Sequence, residues 1–312
     1  MQNVIILIPV YDDYVSLNQL LKHLEKVTIQ QEKYSFSILI VDDGTPQKGS
    51  ITHTTAFPVS ILYLHRNLGH QKAIATGLAY INDNLNTDKV VIMDGDGEDR
   101  PDDVLLLLEK AAAFENSIVF AKRKSRRESR DFRLFYWLYK LIFRILTGKK
   151  IAFGNFMAMP MTLLKKIVYY SEIWNHIAGG ILKSGIQYTT IPTHRGERYA
   201  GKSKLNFHAL LLHGLGSISV FIDKIASRLL IFSSILFIFS VIVIGIILGI
   251  RLFTDRAIPG WTSTLMATML IVLLQSILLS LFTIFLYFIS QSQRKIIPAV
   301  HYKDYTDTIE KF

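Results

Sequence analysis

Asp94 and Asp96 stand one residue apart in the run Val90-Val91-Ile92-Met93-Asp94-Gly95-Asp96. An apolar, largely β-branched run that ends abruptly in acid reads as a strand buried in a parallel sheet, with its carboxylates at the exit. Magnesium and manganese take oxygen ligands, commonly one or two carboxylates together with substrate phosphates. Two aspartates so placed could hold such an ion against a diphosphate; the same Asp-Gly-Asp-Gly residues also make an acidic turn. Two more acid pairs follow apolar runs, Asp12-Asp13 and Asp42-Asp43. The chain has no cysteine, which removes disulfides, thiolate nucleophiles and zinc–thiolate sites. His65, His70, His176, His194, His208 and His213 show no metal-ligand spacing; His70, in the turn Asn67-Leu68-Gly69-His70, is placed where it could touch a phosphate, and its plainer reading is a polar loop residue.

The elements that must position these acids can be read from the apolar pattern. Strands are predicted at Val4–Val10, Phe36–Val41, Val59–Leu64, Val90–Met93 and Ile118–Ala121. Between them the spacing predicts a helix from a Ser16 cap to about Val27, with Leu17, Leu20, Leu21 and Leu24 on one face. A second helix is predicted over Gln71–Ile81, and a third opens at Pro101, a residue favoured in a first turn. Alternating strands and helices imply right-handed crossovers and an α/β fold with a mainly parallel sheet. In such sheets ligands sit at the carboxyl ends of the strands. Asp12, Asp13, Asp42, Asp43, Asp94 and Asp96 all fall there.

The second half of the chain is different. Leu229 to Ile250 is apolar or small throughout, about 22 residues and long enough to cross a bilayer as a helix. A second such stretch runs from Leu265 to Ile289, interrupted by Gln275. Lys224 and Arg228 precede the first stretch and Arg294 and Lys295 follow the second, so the positive-inside rule favours both outer ends in the cytoplasm. No basic n-region precedes the first predicted strand, so the expectation is no cleavable signal peptide and a cytosolic first 200 or so residues. The formal net charge of +10 suits an anionic leaflet or a nucleic acid; no nucleic-acid motif accompanies it. Arg130 to Leu146 has a helical pattern with Arg130, Arg133, Lys140 and Arg144 on one side and Leu134, Phe135, Leu138, Leu141, Ile142 and Ile145 on the other. That suits a helix lying in the membrane interface, or an amphipathic helix packed on the domain. Leu205 to Phe221 is a second candidate.

Taken in order, the motifs VIILIPVYDD at the start, ILIVDDGTP at 38–46, LHRNLGHQKAIATGL at 64–78, VIMDGDGEDRPDD at 91–103, FAKRKSRRESR at 120–130, GNF at 154–156 and RYAGKSKLNF at 198–207 resemble the family 2 glycosyltransferases of GT-A fold. With two terminal spans, the chain looks most like the polyprenyl-phosphate glycosyltransferases, the dolichol-phosphate mannose synthase and bacterial undecaprenyl-phosphate glucosyltransferase type. The resemblance implies that Asp12 and Asp43 hold the nucleotide's base and ribose. Asp94 and Asp96 match the Asp-x-Asp motif that binds a divalent cation, Mg²⁺ or Mn²⁺, on the diphosphate. Ser203 and Lys204 match a pair near the phosphates, and Arg123, Arg126 and Arg127 match a basic run that meets the lipid phosphate; a solvated loop is the plainer reading of that run. Pro9, Tyr11, Asp42, Asn67, Lys72, Asn155 and Arg198 fall in the same motifs and are assigned to substrate binding, and Glu98 joins Asp94, Asp96 and Lys204 as a catalytic candidate.

Some residues depart from the family pattern. Asp-Gly-Asp replaces the usual Asp-Ala-Asp, and Gly97-Glu98-Asp99-Arg100-Pro101 replaces Gln-Asp-Pro-Pro. Asn155 stands where the family often has aspartate, and an arginine-rich stretch is missing around Ser171 to His176. The expected organisation is a nucleotide-sugar-binding GT-A core over 1–128, an acceptor-side and interfacial region over 129–228, spans at 229–250 and 265–289 joined by an extracytoplasmic loop 251–264, and a cytosolic tail 290–312. The expected enzyme transfers a hexose-type sugar from a UDP- or GDP-sugar to polyprenyl phosphate at the cytosolic face of the cytoplasmic membrane, with inversion and no nucleic-acid partner; homo-oligomerisation is a family expectation. Alternatives are a transferase extending a glycan at a sugar hydroxyl, with Glu98 or Asp99 as base, and a non-enzymatic anchor for a flippase or polymerase.

Overall fold

The computed structural model describes residues 1–47, 49–53, 55–123, 130–149, 153–201, 214–254 and 260–312, with side chains for all of these except residues 123 and 130–136. The first half alternates as predicted: β1 (Gln2–Val10), α1 (Tyr14–Thr28), β2 (Tyr34–Asp42), β3 (Val59–Leu64), α2 (His70–Asn84), β4 (Lys89–Ile92), α3 (Asp102–Ala113) and β5 (Ile118–Arg123). Then come α4 (Arg130–Thr147), β6 (Met157–Pro160), α5 (Met161–Ile167), α6 (Ile177–Ser184), β7 (Tyr188–Thr193), two long helices α7 (Ile222–Phe253) and α8 (Trp261–Ser292), a short α9 (Pro298–His301) and β8 (Thr306–Lys311).

The strands form one eight-stranded sheet in the order β7-β5-β6-β4-β1-β2-β3-β8. β4, β1, β2 and β3 are mutually parallel, with Leu7 opposite Ile92 and Val10 opposite Asp42. β6 runs antiparallel to both β4 and β5, and β8 antiparallel to β3. Successive side chains of a strand point to opposite faces, and both faces of this sheet are covered. Ile5 and Leu7 join one buried cluster with Ala73, Ile74, Leu78 and Ile81 of α2. Val4, Ile6 and Ile8 join another with Leu17, Leu20, Leu21 and Leu24 of α1 and Leu107 of α3. Each fully buried leucine contributes about 1.5–3 kcal/mol, so the four leucines of α1 are its main anchor to the sheet.

The structure moves several predicted boundaries. α1 begins at Tyr14, because the cap is Asp13, whose carboxylate accepts from Ser16 N at 3.3 Å. β4 ends at Ile92, although Met93 is buried and its N–H still reaches Leu7 O at 3.1 Å. α2 begins at His70, so His70 is a helix-start residue and not a loop residue. The largest difference is the tail. Residues 290–312 are more than a tail: Tyr302 is buried, its hydroxyl bonded to Asn84, and β8 completes the sheet. The charged hexamer TDTIEK carries little apolar signal, as suits an edge strand.

The chain divides into two units, Met1–Phe143, Lys149–Val220 and Lys295–Phe312 in one, and Arg144–Gly148 and Phe221–Arg294 in the other. In the second, α7 and α8 are each 32 residues long, extending the predicted spans at both ends, and are long and apolar enough to cross a membrane. Their buried positions are Ile225, Ala226, Ser233, Ser240 and Ile247 on α7 and Ser276 and Thr283 on α8. The hydroxyls of Ser233 and Ser280 lie 2.7 Å apart. Small and hydroxyl side chains between helices, with Ile231, Phe232, Ile235 and Phe239 turned outward, are the arrangement a lipid environment favours. On α4, Trp137, Leu138, Leu141, Ile142 and Ile145 are exposed, while Phe143 and Thr147 are buried. Of the second interfacial candidate, residues 205–213 lie outside the described residues.

Candidate active site

Three parallel strand ends meet at one edge of the sheet. After β1 the chain turns at Asp12, which has φ 51 and is the one non-glycine residue with positive φ among those described. An αL aspartate is tolerated because its short polar side chain bonds locally. Asp12 N donates to Thr45 Oγ1 at 3.0 Å, tying the β1 exit to the β2 exit. Asp13 caps α1 and pairs with Arg198 Nη2 at 3.0 Å.

At the β2 exit Asp42 and Asp43 are both buried. Asp42 accepts from Tyr14 OH at 2.6 Å and Thr45 N at 2.7 Å. Asp43 accepts from Leu68 N at 2.7 Å and Gly69 N at 2.9 Å, at the entry to α2. Burial pushes the Asp43 carboxyl up to about 6 despite those two N–H donors, which pull the other way. Gly44 has φ 72, and a Cβ there would lie 2.3 Å from the carbonyl carbon of Arg66. The loops after β2 and β3 therefore touch backbone to backbone.

At the β4 exit Asp94 N donates to Asp99 Oδ2 at 3.0 Å, and Asp94 Oδ1 lies 3.2 Å from His70 Nε2. Burial lowers the His70 imidazole's affinity for a proton, but the carboxylates of Asp94, Asp99 and Asp43 outweigh it, and the net shift is upward. Asp96 accepts from Glu98 N at 2.9 Å and from Arg198 Nη1 at 2.9 Å. Burial first, then the neighbouring Asp94 charge, raise Asp96, with Arg198 opposing. Glu98 pairs with Arg195. Gly97 has φ 91, and a Cβ there would meet the Tyr199 ring at 2.5 Å. Tyr199 N in turn donates to Asp96 O at 3.0 Å, so the segment around Arg198 is laid against the acidic turn.

Among the described residues no group of three His, Cys, Asp or Glu side chains converges as a metal site. Asp94 and Asp96 nevertheless fit a hard cation that takes the rest of its shell from a diphosphate. They are oxygen donors one residue apart, and Asp96 is desolvated and crowded by Asp94, a charge state that a cation relieves.

The remaining predicted residues scatter more widely. Pro9 is buried in β1, Tyr11 and Asn67 are exposed at strand exits, and Asn155 Nδ2 is 3.1 Å from His70 Nε2. Lys72 lies with Nζ 5.9 Å from the centre of the Trp174 ring. Arg123 closes β5; its side chain, and Arg126, Arg127, Ser203 and Lys204, lie outside the described residues. Asp13 was placed at the strand ends by the sequence but given no role; its role as the α1 cap and partner of Arg198 comes from the structure. Arg195 and Tyr199 were missed, because only tertiary contacts bring them to the site.

Residues 5–174 match the glycosyl transferase family 2 profile, more than half of the chain. This chain belongs to the family 2 glycosyltransferases. A relative in Bacillus subtilis, an uncharacterised glycosyltransferase called YkcC, is 28% identical over 281 residues, covering 85% of this chain and 82% of that protein. The undecaprenyl-phosphate 4-deoxy-4-formamido-L-arabinose transferase of Salmonella choleraesuis is 26% identical over 223 residues, 67% of this chain and 64% of the enzyme. Among solved structures, glucosyl-3-phosphoglycerate synthase from Mycobacterium tuberculosis, crystallised with Mn²⁺, UDP-glucose and phosphoglyceric acid, superposes with a TM-score of 0.51 at 12% identity, covering 72% of this chain and 80% of that one. The fold is that of the GT-A glycosyltransferases, and the protein is a glycosyltransferase; its relatives include a polyprenyl-phosphate transferase.

Proposed function

We propose that this glycosyltransferase moves a hexose-type sugar from a UDP- or GDP-sugar to a polyprenyl phosphate of the undecaprenyl kind, at the cytosolic face of the membrane and with inversion. The observation that carries the reading is the convergence of Asp12, Asp43, Asp94 and Asp96 at the ends of three adjacent strands, β1, β2 and β4, beside Arg198 and His70. Asp43 and Asp12 accept from the donor's base and ribose, and Pro9, Tyr11, Asp42 and Asn67 shape that pocket. Asp94 and Asp96 would hold Mg²⁺ or Mn²⁺, which when bound offsets the negative charge of the departing diphosphate. Arg198 and Lys204 add fixed positive charge there, and Arg123, Arg126, Arg127 and Ser203 receive the lipid phosphate.

A phosphate oxygen of the acceptor forms the new bond to the anomeric carbon. The bond from that carbon to the donor diphosphate breaks, and its electron pair leaves with the nucleoside diphosphate. The acceptor is already an anion near neutral pH, so the nucleophile gives up no proton. That suits Asn155 at a position where relatives often carry a carboxylate. Transfer to a sugar hydroxyl needs a base; Glu98 is paired with Arg195, and Asp99 is buried against Asp94 N, which argues against it. What remains for the protein is alignment and charge stabilisation.

Membrane topology follows the same reading. The sheet contains strands from before α7 and one from after α8, which supports a two-span pair with both flanks on one side. Lys224, Arg228, Arg294 and Lys295 favour the cytosol for that side, with the loop near Pro259 outside. The exposed apolar stripe of α4 beside Lys140 and Arg144 supports its lying in the interface.

The test supplies full-length protein with undecaprenyl phosphate and radiolabelled UDP-glucose, GDP-mannose or UDP-GlcNAc. One donor should carry label into the organic phase only when the lipid is present. Label in a water-soluble glycan would favour a hydroxyl acceptor, and no transfer from any donor would contradict the reading.

A further inference from the structure

The segment after β7 is laid on the acidic turn that follows β4, by contacts that do not involve the side chain of Arg198. Gly196 N donates to Glu98 O at 2.9 Å, and Tyr199 N donates to Asp96 O at 3.0 Å. A Cβ on Gly196 would lie 2.2 Å from Gly97 O, so the two stretches touch backbone to backbone. Tyr199 OH lies 2.8 Å from His23 Nδ1, which ties the same segment to α1.

From this seat the Arg198 side chain reaches into the acid cluster. Its Nη1 donates to Asp96 Oδ2 at 2.9 Å, its Nη2 to Asp13 Oδ2 at 3.0 Å and its Nε to Ala200 O at 3.1 Å. The other Asp96 oxygen, Oδ1, accepts from Glu98 N at 2.9 Å. All three guanidinium nitrogens and both Asp96 oxygens therefore have a partner. The Arg198, Asp13 and Asp96 side chains are 21%, 23% and 20% exposed, so salt screens these pairs less than it would pairs at the open surface.

The arrangement sets two cations against each other. Mg²⁺ sits about 2.1 Å from a ligating oxygen. On Asp96 Oδ2 it would face the guanidinium at close range, and like charges so placed repel. A nucleoside diphosphate relieves the conflict, because its phosphate oxygens suit the guanidinium fork as a carboxylate does.

We propose that Arg198 competes with the divalent cation for Asp96, and yields that carboxylate when a nucleoside diphosphate gives the guanidinium a new acceptor. The side chain swings while its backbone stays seated on the turn. Cation and nucleotide then strengthen each other's binding through one residue. The inference rests on the reading of Asp96 as a metal ligand.

The experiment follows Mn²⁺ binding by electron paramagnetic resonance in full-length protein in detergent, alone and with UDP or GDP. Wild type is compared with Arg198→Gln, Arg198→Lys and Asp96→Asn. Arg198→Gln should tighten Mn²⁺ without nucleotide by about fivefold or more. At saturating Mn²⁺ it should weaken, by a similar factor, whichever diphosphate the wild type binds. A side chain that only held the segment in place would weaken both. Arg198→Lys keeps the charge, so its Mn²⁺ affinity without nucleotide should stay close to that of the wild type. The Gly196 and Tyr199 amides should exchange deuterium as slowly in Arg198→Gln as in the wild type; faster exchange would make Arg198 a structural tie and overturn the proposal. Unchanged or weaker Mn²⁺ binding by Arg198→Gln without nucleotide would also overturn it, and the metal reading would stand if Asp96→Asn loses nucleotide-dependent Mn²⁺ binding. Equal Mn²⁺ binding by Asp96→Asn and wild type would overturn both.

Discussion

The sheet unit and the helical pair solve opposite solvation problems with the same residue types. In the sheet unit Leu7, Leu20, Ile40 and Val91 are inside, and the acids gather where three strands end. In the pair the order is largely reversed: Ser233, Ser240, Ser276 and Thr283 are inside, and Ile231, Phe232, Ile235, Phe239, Phe282 and Phe285 face out. Water rewards the burial of apolar surface, whereas between helices in lipid close approach and hydroxyl contacts carry the association. The sheet unit should therefore be sensitive to charge at its strand ends, and the pair to volume at its seam.

The largest expected effect is at the strand ends. Asp96→Ala should lower the transfer rate by about a hundredfold to a thousandfold or more, in the range seen when a group stabilising reaction charge is removed, and Asp94→Asn should behave similarly. Both should leave the melting temperature nearly unchanged, because neither carboxylate supports the core. EDTA should stop the wild type, and Mn²⁺ or Mg²⁺ should restore it; full activity in EDTA would break the comparison.

Next comes Asp43, where pH separates binding from folding. With a folded value near 6, the native state holds this proton more tightly than the unfolded chain does. Its contribution to stability is thus present at low pH and is lost as pH rises through about 6. On the proposal that ionised Asp43 accepts from the nucleotide, affinity should fall as pH drops below about 6. Asp42 raises this group, whereas His70 lowers it, so the midpoint should shift if either is replaced. Asp43→Asn should flatten the pH dependence of UDP or GDP affinity measured by calorimetry.

A smaller effect is expected from the basic face of α4. Each cation near an anionic surface is worth about 1 kcal/mol. Replacing Arg133, Lys140 and Arg144 with Gln should raise KM for polyprenyl phosphate and leave that for the nucleotide sugar. Loss of donor binding with an unchanged lipid KM would assign the helix to the packing of the sheet unit.

The smallest effect sharpens the contrast from the other side. Ser280→Ala removes the partner of Ser233, a contact worth about 0.6 kcal/mol between membrane helices. It should lower the melting temperature in detergent slightly and leave the transfer rate unchanged.

What the sequence made legible follows the same division. The central strands carry long β-branched runs ending in acid, so β1, β2 and β4 and their carboxylates are readable one after another. The two long helices are readable from apolar length alone. The antiparallel strands are not: β6, inside the sheet between β5 and β4, is the four-residue Met157–Pro160, and the edge strand β8 is mostly polar. The start of α2 was missed because its cap, Gly69, has no side chain to announce it. Arg198 lies 185 residues from Asp13 and 102 from Asp96, and no local pattern records such a pairing.

The central claim is that the strand-end aspartates hold a cation together with a nucleoside diphosphate. Electron paramagnetic resonance of Mn²⁺ tests it most directly, with full-length protein alone and with UDP or GDP. The account predicts that wild-type protein and one of the two nucleotides together immobilise Mn²⁺ beyond what either does alone, and that Asp94→Asn and Asp96→Asn abolish this. Equal immobilisation by wild type and both variants would contradict it.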